Sequence, residues 1–165
     1  MTIKTWVITD TKSEDHLESL VVTSNNLSDT PADFSIIKKT LRGGLSAGVE
    51  VLQVNNGKLQ FDLLLTRGMS LAAATIGGMK FGWHSPVRGP VHPKFVNLHE
   101  PSGLGWLDGF DEMMVRCGLE SNGAPEFDSE TNNLKYCVHG RIGNKPADQV
   151  VVTVDTQAET ISIKG

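Results

Sequence analysis

Between Tyr136 and Asp148 the chain reads YCVHGRIGNKPAD, which sets His139, Arg141, Asn144 and Lys145 close together among glycines and just ahead of a proline. An imidazole gives or takes a proton near neutral pH. A guanidinium offers a planar fork of donors that suits sugar hydroxyls or a carboxylate. The Asn144 amide both donates and accepts, and Gly140 lets a ligand approach the backbone. The set suits a polyol. It equally suits a loop whose polar side chains satisfy the backbone of a turn, and the residues alone leave both readings open.

Other residues carry chemistry less sharply. In LTRGMSL, Arg67 ends a strongly apolar run, where it either sits at a sheet rim or points into a cleft; the glycine after it favours the cleft. From Gly82 to Gly105 the chain runs GWHSPVRGPVHPKFVNLHEPSGLG, with four prolines and little strand character. Long connections of this kind are uncommon and often functional. This one holds His84, His92 and His99, followed by Glu100. Zinc and iron sites use histidine with a carboxylate, but no compact His-x-His or His-x-x-x-His pair occurs, so local hydrogen bonding is the preferred reading. Trp83 and Trp106 offer rings on which a sugar face could stack, although burial is the default for tryptophan. Asp108, Asp111, Glu112 and Glu120 are carboxylates that either serve such a site or are solvated or capping.

The elements that must position these groups read as strands. Val49–Val54 and Leu59–Leu65 flank NNGK, the turn chemistry of a hairpin. Leu59, Phe61 and Leu63 alternate with Gln60 and Asp62, as a half-buried strand requires. SLAAATI and FGW flank GGMK, and Gln149–Asp155 and Glu159–Gly165 flank a short polar turn. Helical spacing occurs in GLGWLDGFDEMM, where Trp106, Phe110, Met113 and Met114 form an apolar stripe widened by Leu107. Residues 11–35 read as a polar, extended lead-in with one short helix around Glu14–Leu20. The chain is therefore mostly β, with a turn about every ten residues, the pattern of an antiparallel sandwich or barrel.

Composition narrows the partners. The chain has 165 residues and a formal net charge of −4, which argues against nucleic acid or an anionic membrane as the main partner. No secretory leader and no apolar run of spanning length is visible, so a soluble, cytoplasmic protein is expected. Two cysteines, Cys117 and Cys137, are too few for a disulfide framework and are expected as reduced, half-buried thiols.

Taken in order, RGMSL, GWHSP, HPKFV, GLGWLDGF, CGLESNGAP and VHGRIGNKPA resemble the DUF4432 group of galactose mutarotase-like proteins, relatives of the aldose 1-epimerases. The likeness runs from about Val49 to the end of the chain. It implies the antiparallel β-sandwich of the mutarotase superfamily, here incomplete, with residues 1–40 as a lead-in and 41–165 as the N-terminal part of one sandwich domain. It also implies a monosaccharide or sugar derivative as ligand and no cofactor or metal. In mutarotases a histidine protonates the ring oxygen while a glutamate takes the proton of the anomeric hydroxyl, which is general acid–base catalysis. By that likeness His139 is the acid, and Arg141, favoured over Arg67, holds the substrate with Asn144. His99 is a second polar contact, and Trp106 shelters the sugar face. The glutamate lies late in those proteins, past the point where this sequence stops. The chain is thus expected to be half of a mutarotase-like domain, inactive by itself, with uncovered strand edges that favour self-association. Two rival readings are a non-catalytic sugar-binding module and a metal-dependent sugar isomerase built on the loop histidines.

Overall fold

The computed structural model of the chain describes residues 2–27, 30 and 32–165; Ser28, Asp29 and Pro31 of the polar lead-in lie outside the described residues. Its strands are β1 (Ile3–Asp10), β2 (Asp15–His16), β3 (Leu20–Thr23), β4 (Ser35–Thr40), β5 (Glu50–Asn55), β6 (Leu59–Leu64), β7 (Ser70–Ile76), β8 (Met79–Phe81), β9 (Glu126–Phe127), β10 (Leu134–Tyr136), β11 (Gln149–Asp155) and β12 (Thr160–Lys164). Three antiparallel sheets result. One is the six-stranded meander β3-β4-β5-β6-β7-β8. The second has the order β12-β11-β1-β2, and the third is the short pair β10-β9.

Alternation explains how the two larger sheets face each other. Leu52 and Val54 of β5, with Val22, Ile36 and Leu65, meet Ile8, Val150, Val152 and Val154 of the second sheet in one buried cluster. Phe61 and Leu63 pack against this cluster, on the face their period-two spacing assigns. A register shift between Asp62 and Leu63 interrupts the β6–β7 ladder. The next apolar residue, Leu64, joins a smaller cluster with Val49 and Val51. The run Leu63-Leu64-Leu65 is therefore covered on both sides.

The NNGK turn closes by side-chain chemistry: Asn55 Oδ1 accepts from the Gly57 N–H at 2.7 Å, and Asn56 Oδ1 accepts from the Leu59 N–H at 2.8 Å. Gly57 has φ +86°, a conformation that glycine adopts without a Cβ penalty. The hairpins β7–β8 and β11–β12 form as the sequence suggests.

Two local expectations differ from the structure. Residues 3–40 supply β1, β3 and β4 to the two large sheets rather than only leading into them, and no helix forms around Glu14–Leu20. There Thr9 pairs with His16 and Asp10 with Asp15, so strand pairing overrides a weak helical signal. The stripe from Trp106 to Met114 is helical only over Gly105–Gly109, as a 3-10 turn. Beyond it the chain is extended: Met114 and Leu71 exchange backbone hydrogen bonds at 2.9 Å in each direction, and the Met114 side chain is exposed. No helix among the described residues is long and apolar enough to cross a membrane.

Candidate functional site

The corner that carries His139 is built from three directions. Its C-terminal half is a 3-10 turn over Ile142–Asn144, stitched to the end of β6: the Gly68 N–H donates to Lys145 O at 2.7 Å, and the Ala147 N–H donates to Leu65 O at 2.9 Å. The approach is close enough that a β-carbon on Gly68 would overlap the Ile142 carbonyl. From the other side, the Val138 N–H donates to Gly103 O and the His139 N–H to Gly123 O.

His139 is half-buried, with φ +56°. A non-glycine residue in that region stores strain of order 1 kcal/mol or more unless its surroundings hold it. Its ring is held as well. The Gly123 N–H lies 3.3 Å from Nδ1, and the Asn122 side-chain oxygen Oδ1 lies 3.3 Å from the same nitrogen. The Gly123 N–H suits Nδ1 as an acceptor and the Asn122 oxygen suits it as a donor, so both contacts fall on Nδ1 and Nε2 has no hydrogen bond among the described residues. Trp106 meets the imidazole edge-on, with centroids 4.9 Å apart, and stacks on Phe110 at 4.7 Å; Phe110 in turn lies 4.9 Å from Trp83. Trp106 is buried, whereas Trp83 is exposed on one side.

Arg141 is exposed, and its guanidinium grips Glu120 through two nitrogens, with Nε 2.8 Å from Oε2 and Nη2 bonded to Oε1. That contact holds the Glu120 carboxyl below its ordinary range and raises Arg141. An exposed pair of this kind contributes little to stability, so a ligand can displace it. Lys145 is exposed on the same turn.

Arg67 and Asn144 meet beneath the corner rather than on its surface. Arg67 is 0% exposed and Asn144 9%. Arg67 Nε donates to Glu112 Oε1 at 2.6 Å, and Nη1 donates both to Val91 O at 2.9 Å and to Asn144 Oδ1 at 3.0 Å. Glu112 is also fully buried, and its Oε2 accepts from the Asp111 N–H. Trp83 closes the group by donating from Nε1 to Glu112 O at 3.0 Å. Arg67 Nη2, Asn144 Nδ2 and Trp106 Nε1 have no hydrogen-bond partner among the described residues.

Asp111 stands apart. Its carboxyl flanks a hollow of about 380 Å³ bordered by Trp83, His84 and Arg88. Burial, then the neighbouring Glu112 charge, push it up to about 6, against a smaller opposing pull from Arg67.

His99 lies away from these contacts in side chain. It is exposed, and only its backbone is engaged, donating to Asn97 Oδ1 and accepting from Gly103 N–H. His92 Nδ1 accepts from the Lys94 N–H, and burial with the Lys94 charge lowers its pKa. Among the described residues, no group of three or more His, Cys, Asp and Glu side chains is placed to hold a metal ion, so the loop histidines do not converge. The cysteines are unpaired; Cys117 is exposed and Cys137 buried, rather than both half-buried.

The residues that sequence reasoning passed over are Asn122 and Gly123; Phe110 was read only as part of an apolar stripe. Gly123 meets His139 across 16 positions, a separation with no periodic signature. Glu112 and Glu120 were visible only as two among several carboxylates.

The model of the family described as a domain of unknown function, DUF4432, matches residues 46–165. No protein of curated function matches the chain. Among solved structures, a crystal structure of a protein from Klebsiella pneumoniae subsp. pneumoniae MGH 78578, provisionally named an aldose 1-epimerase, is 38% identical with a TM-score of 0.89. The match covers 99% of this chain and 42% of that one, so the chain spans less than half the length of the Klebsiella protein.

Proposed function

The chain belongs to the DUF4432 family, and from that premise we propose that it binds a monosaccharide or sugar derivative and supplies the general acid of an aldose 1-epimerase-like reaction. The observation that carries the reading is the state of His139. Asn122 Oδ1 and the Gly123 N–H both address Nδ1 at 3.3 Å, so Nε2 is the nitrogen left for a ligand, and in the imidazolium its Nε2–H donates to a ring oxygen. Arg141 holds a hydroxyl once Glu120 yields, with Trp106 behind the imidazole and His99 as an outer polar contact. The likeness to the Klebsiella protein supports the sugar class.

In this mechanism the His139 imidazolium passes its Nε2 proton to the ring oxygen and becomes neutral, as the anomeric hydroxyl loses its own proton to a carboxylate base. The C1–O5 bond opens, C1 rotates, and the ring recloses on the other face as O5 returns its proton to His139 and the carboxylic acid returns its proton to the anomeric oxygen. We assign no residue of 1–165 to the base. Residues 3–165, with the strands before residue 41 included, act as part of one larger mutarotase-like sandwich, and the edge strand β12 is a place for another strand, including one from a second copy. The unpaired thiols suit a reducing, cytoplasmic setting.

Saturation-transfer NMR and polarimetry on a panel of aldoses test the proposal. Binding of at least one aldose is expected, with His139→Ala removing any anomer interconversion while sparing most of the binding. Interconversion that survives the substitution rejects His139 as the acid. Binding without interconversion, unaffected by His139→Ala, favours the non-catalytic module.

A further inference from the structure

We infer that Arg67 is a positioning residue that holds the His139 turn in register through Asn144, and that neither Arg67 nor Asn144 contacts the ligand. The inference deepens the reading of His139 given above and rests on it for its functional meaning. Its geometric content stands separately.

The reasoning starts from burial. A guanidinium that is 0% exposed cannot reach a sugar in a surface cleft, and Asn144 at 9% is scarcely better placed. Their hydrogen bonds run inward. Arg67 ties three stretches of chain that are distant in sequence: Glu112 after the 3-10 turn, Val91 in the long connection, and Asn144 in the His139 corner. Taking such an ion pair out of water brings little net stability compared with an apolar replacement, while its directional bonds fix relative placement.

Close packing makes the tie specific. A β-carbon on Gly109 would come within 3.0 Å of Arg67 Nη1 and 2.8 Å of Val96, and one on Gly143 within 2.9 Å of Val115. The guanidinium is therefore packed without slack against Gly109, and the turn at Gly143 is packed as closely against Val115. The Asn144 N–H donates to Arg141 O, and the Gly140 N–H donates to Cys137 O, so the backbone from Cys137 to Asn144 is a chain of short turns. In its middle sits His139 at φ +56°. A strained backbone persists only where neighbours over-determine it. Gly123 supplies one constraint from outside the corner, and Arg67, acting through Asn144, supplies the other at its far end.

The test reads the imidazole directly. Long-range ¹H–¹⁵N spectra of the wild-type chain, taken across a pH series, should show the neutral form of His139 as one dominant tautomer. Asn144→Ala removes the acceptor for Arg67 and leaves the Arg67–Glu112 pair intact; loss of that single-tautomer signature is expected. Asn144→Asp restores an oxygen for Nη1 and should restore the signature, a rescue that a purely volumetric role for Asn144 does not predict. Arg67→Lys keeps a cation beside Glu112 but has no fork for Asn144, and it should resemble Asn144→Ala. An unaltered His139 spectrum in folded Asn144→Ala or Arg67→Lys overturns the inference. Where those variants do not fold, the wild-type protein decides. Slowly exchanging Arg67 Nη protons with cross-peaks to Asn144 are expected, and fast-exchanging, freely rotating Nη groups overturn it. Absence of any aldose binding by the wild type instead rejects the function proposed for His139 and leaves the spectral result to stand.

Discussion

Replacing Asp111 by Asn should stabilise the protein at neutral pH and do little in acid. The carboxyl rises from 3.8 to about 6 because burial and the Glu112 charge disfavour its ionised form. A shift of about 2 units corresponds to about 3 kcal/mol at 1.36 kcal/mol per unit. Asp111 is partly exposed, so solvent screening reduces this to about 1–2 kcal/mol. The sign follows from proton counting. Between 3.8 and about 6 the folded state binds more protons at Asp111 than the unfolded state does. Stability from this group is therefore full below the unfolded value and declines as pH rises through the folded one. Urea unfolding of the wild type and Asp111→Asn at closely spaced pH values provides the assay, because contributions from other groups cancel in the difference. The difference should be small at about pH 3.5 and reach about 1–2 kcal/mol in favour of the variant at about pH 7.5. A difference that is flat with pH, or that turns against the variant as pH rises, refutes the reasoning.

Three further outcomes are expected. His139→Gly should be more stable than His139→Ala by about 1 kcal/mol in thermal unfolding, since only glycine adopts φ +56° without a Cβ penalty. Glu120→Ala should tighten aldose binding in NMR titrations by releasing Arg141, with little change in stability; weaker binding would place Glu120 itself on the ligand. Leu52→Ala, at a 0% exposed core position, should cost about 2–5 kcal/mol in urea unfolding.

The strands were legible because their information is local. Leu59, Phe61 and Leu63 declare a face by alternation, and Asn55-Asn56-Gly57 closes its turn with its own side chains. The ordered motifs also pointed to the right family and an antiparallel sandwich. Residues 3–40 were harder to read, since β1 finds its partner β11 about 140 positions away and nothing local announces that pairing. In the site, residue types were readable but depth was not. Arg67 follows an apolar strand whether its guanidinium faces solvent or, as here, runs inward to Glu112. The Trp106 stripe had helical spacing, yet pairing of Met114 with Leu71 drew its second half into an extended path.

The asymmetry of the two thiols has a practical use. Cys137 is buried, and burial pushes its thiol up, so it resists alkylation at neutral pH, whereas Cys117 is open to solvent. Cys117 directly precedes Gly118, whose N–H faces the carbonyl of His139. A maleimide dye would therefore label one position selectively in the natural sequence, one residue from the backbone contact with His139, giving a fluorescent reporter of occupancy for screening sugars without engineering an attachment point.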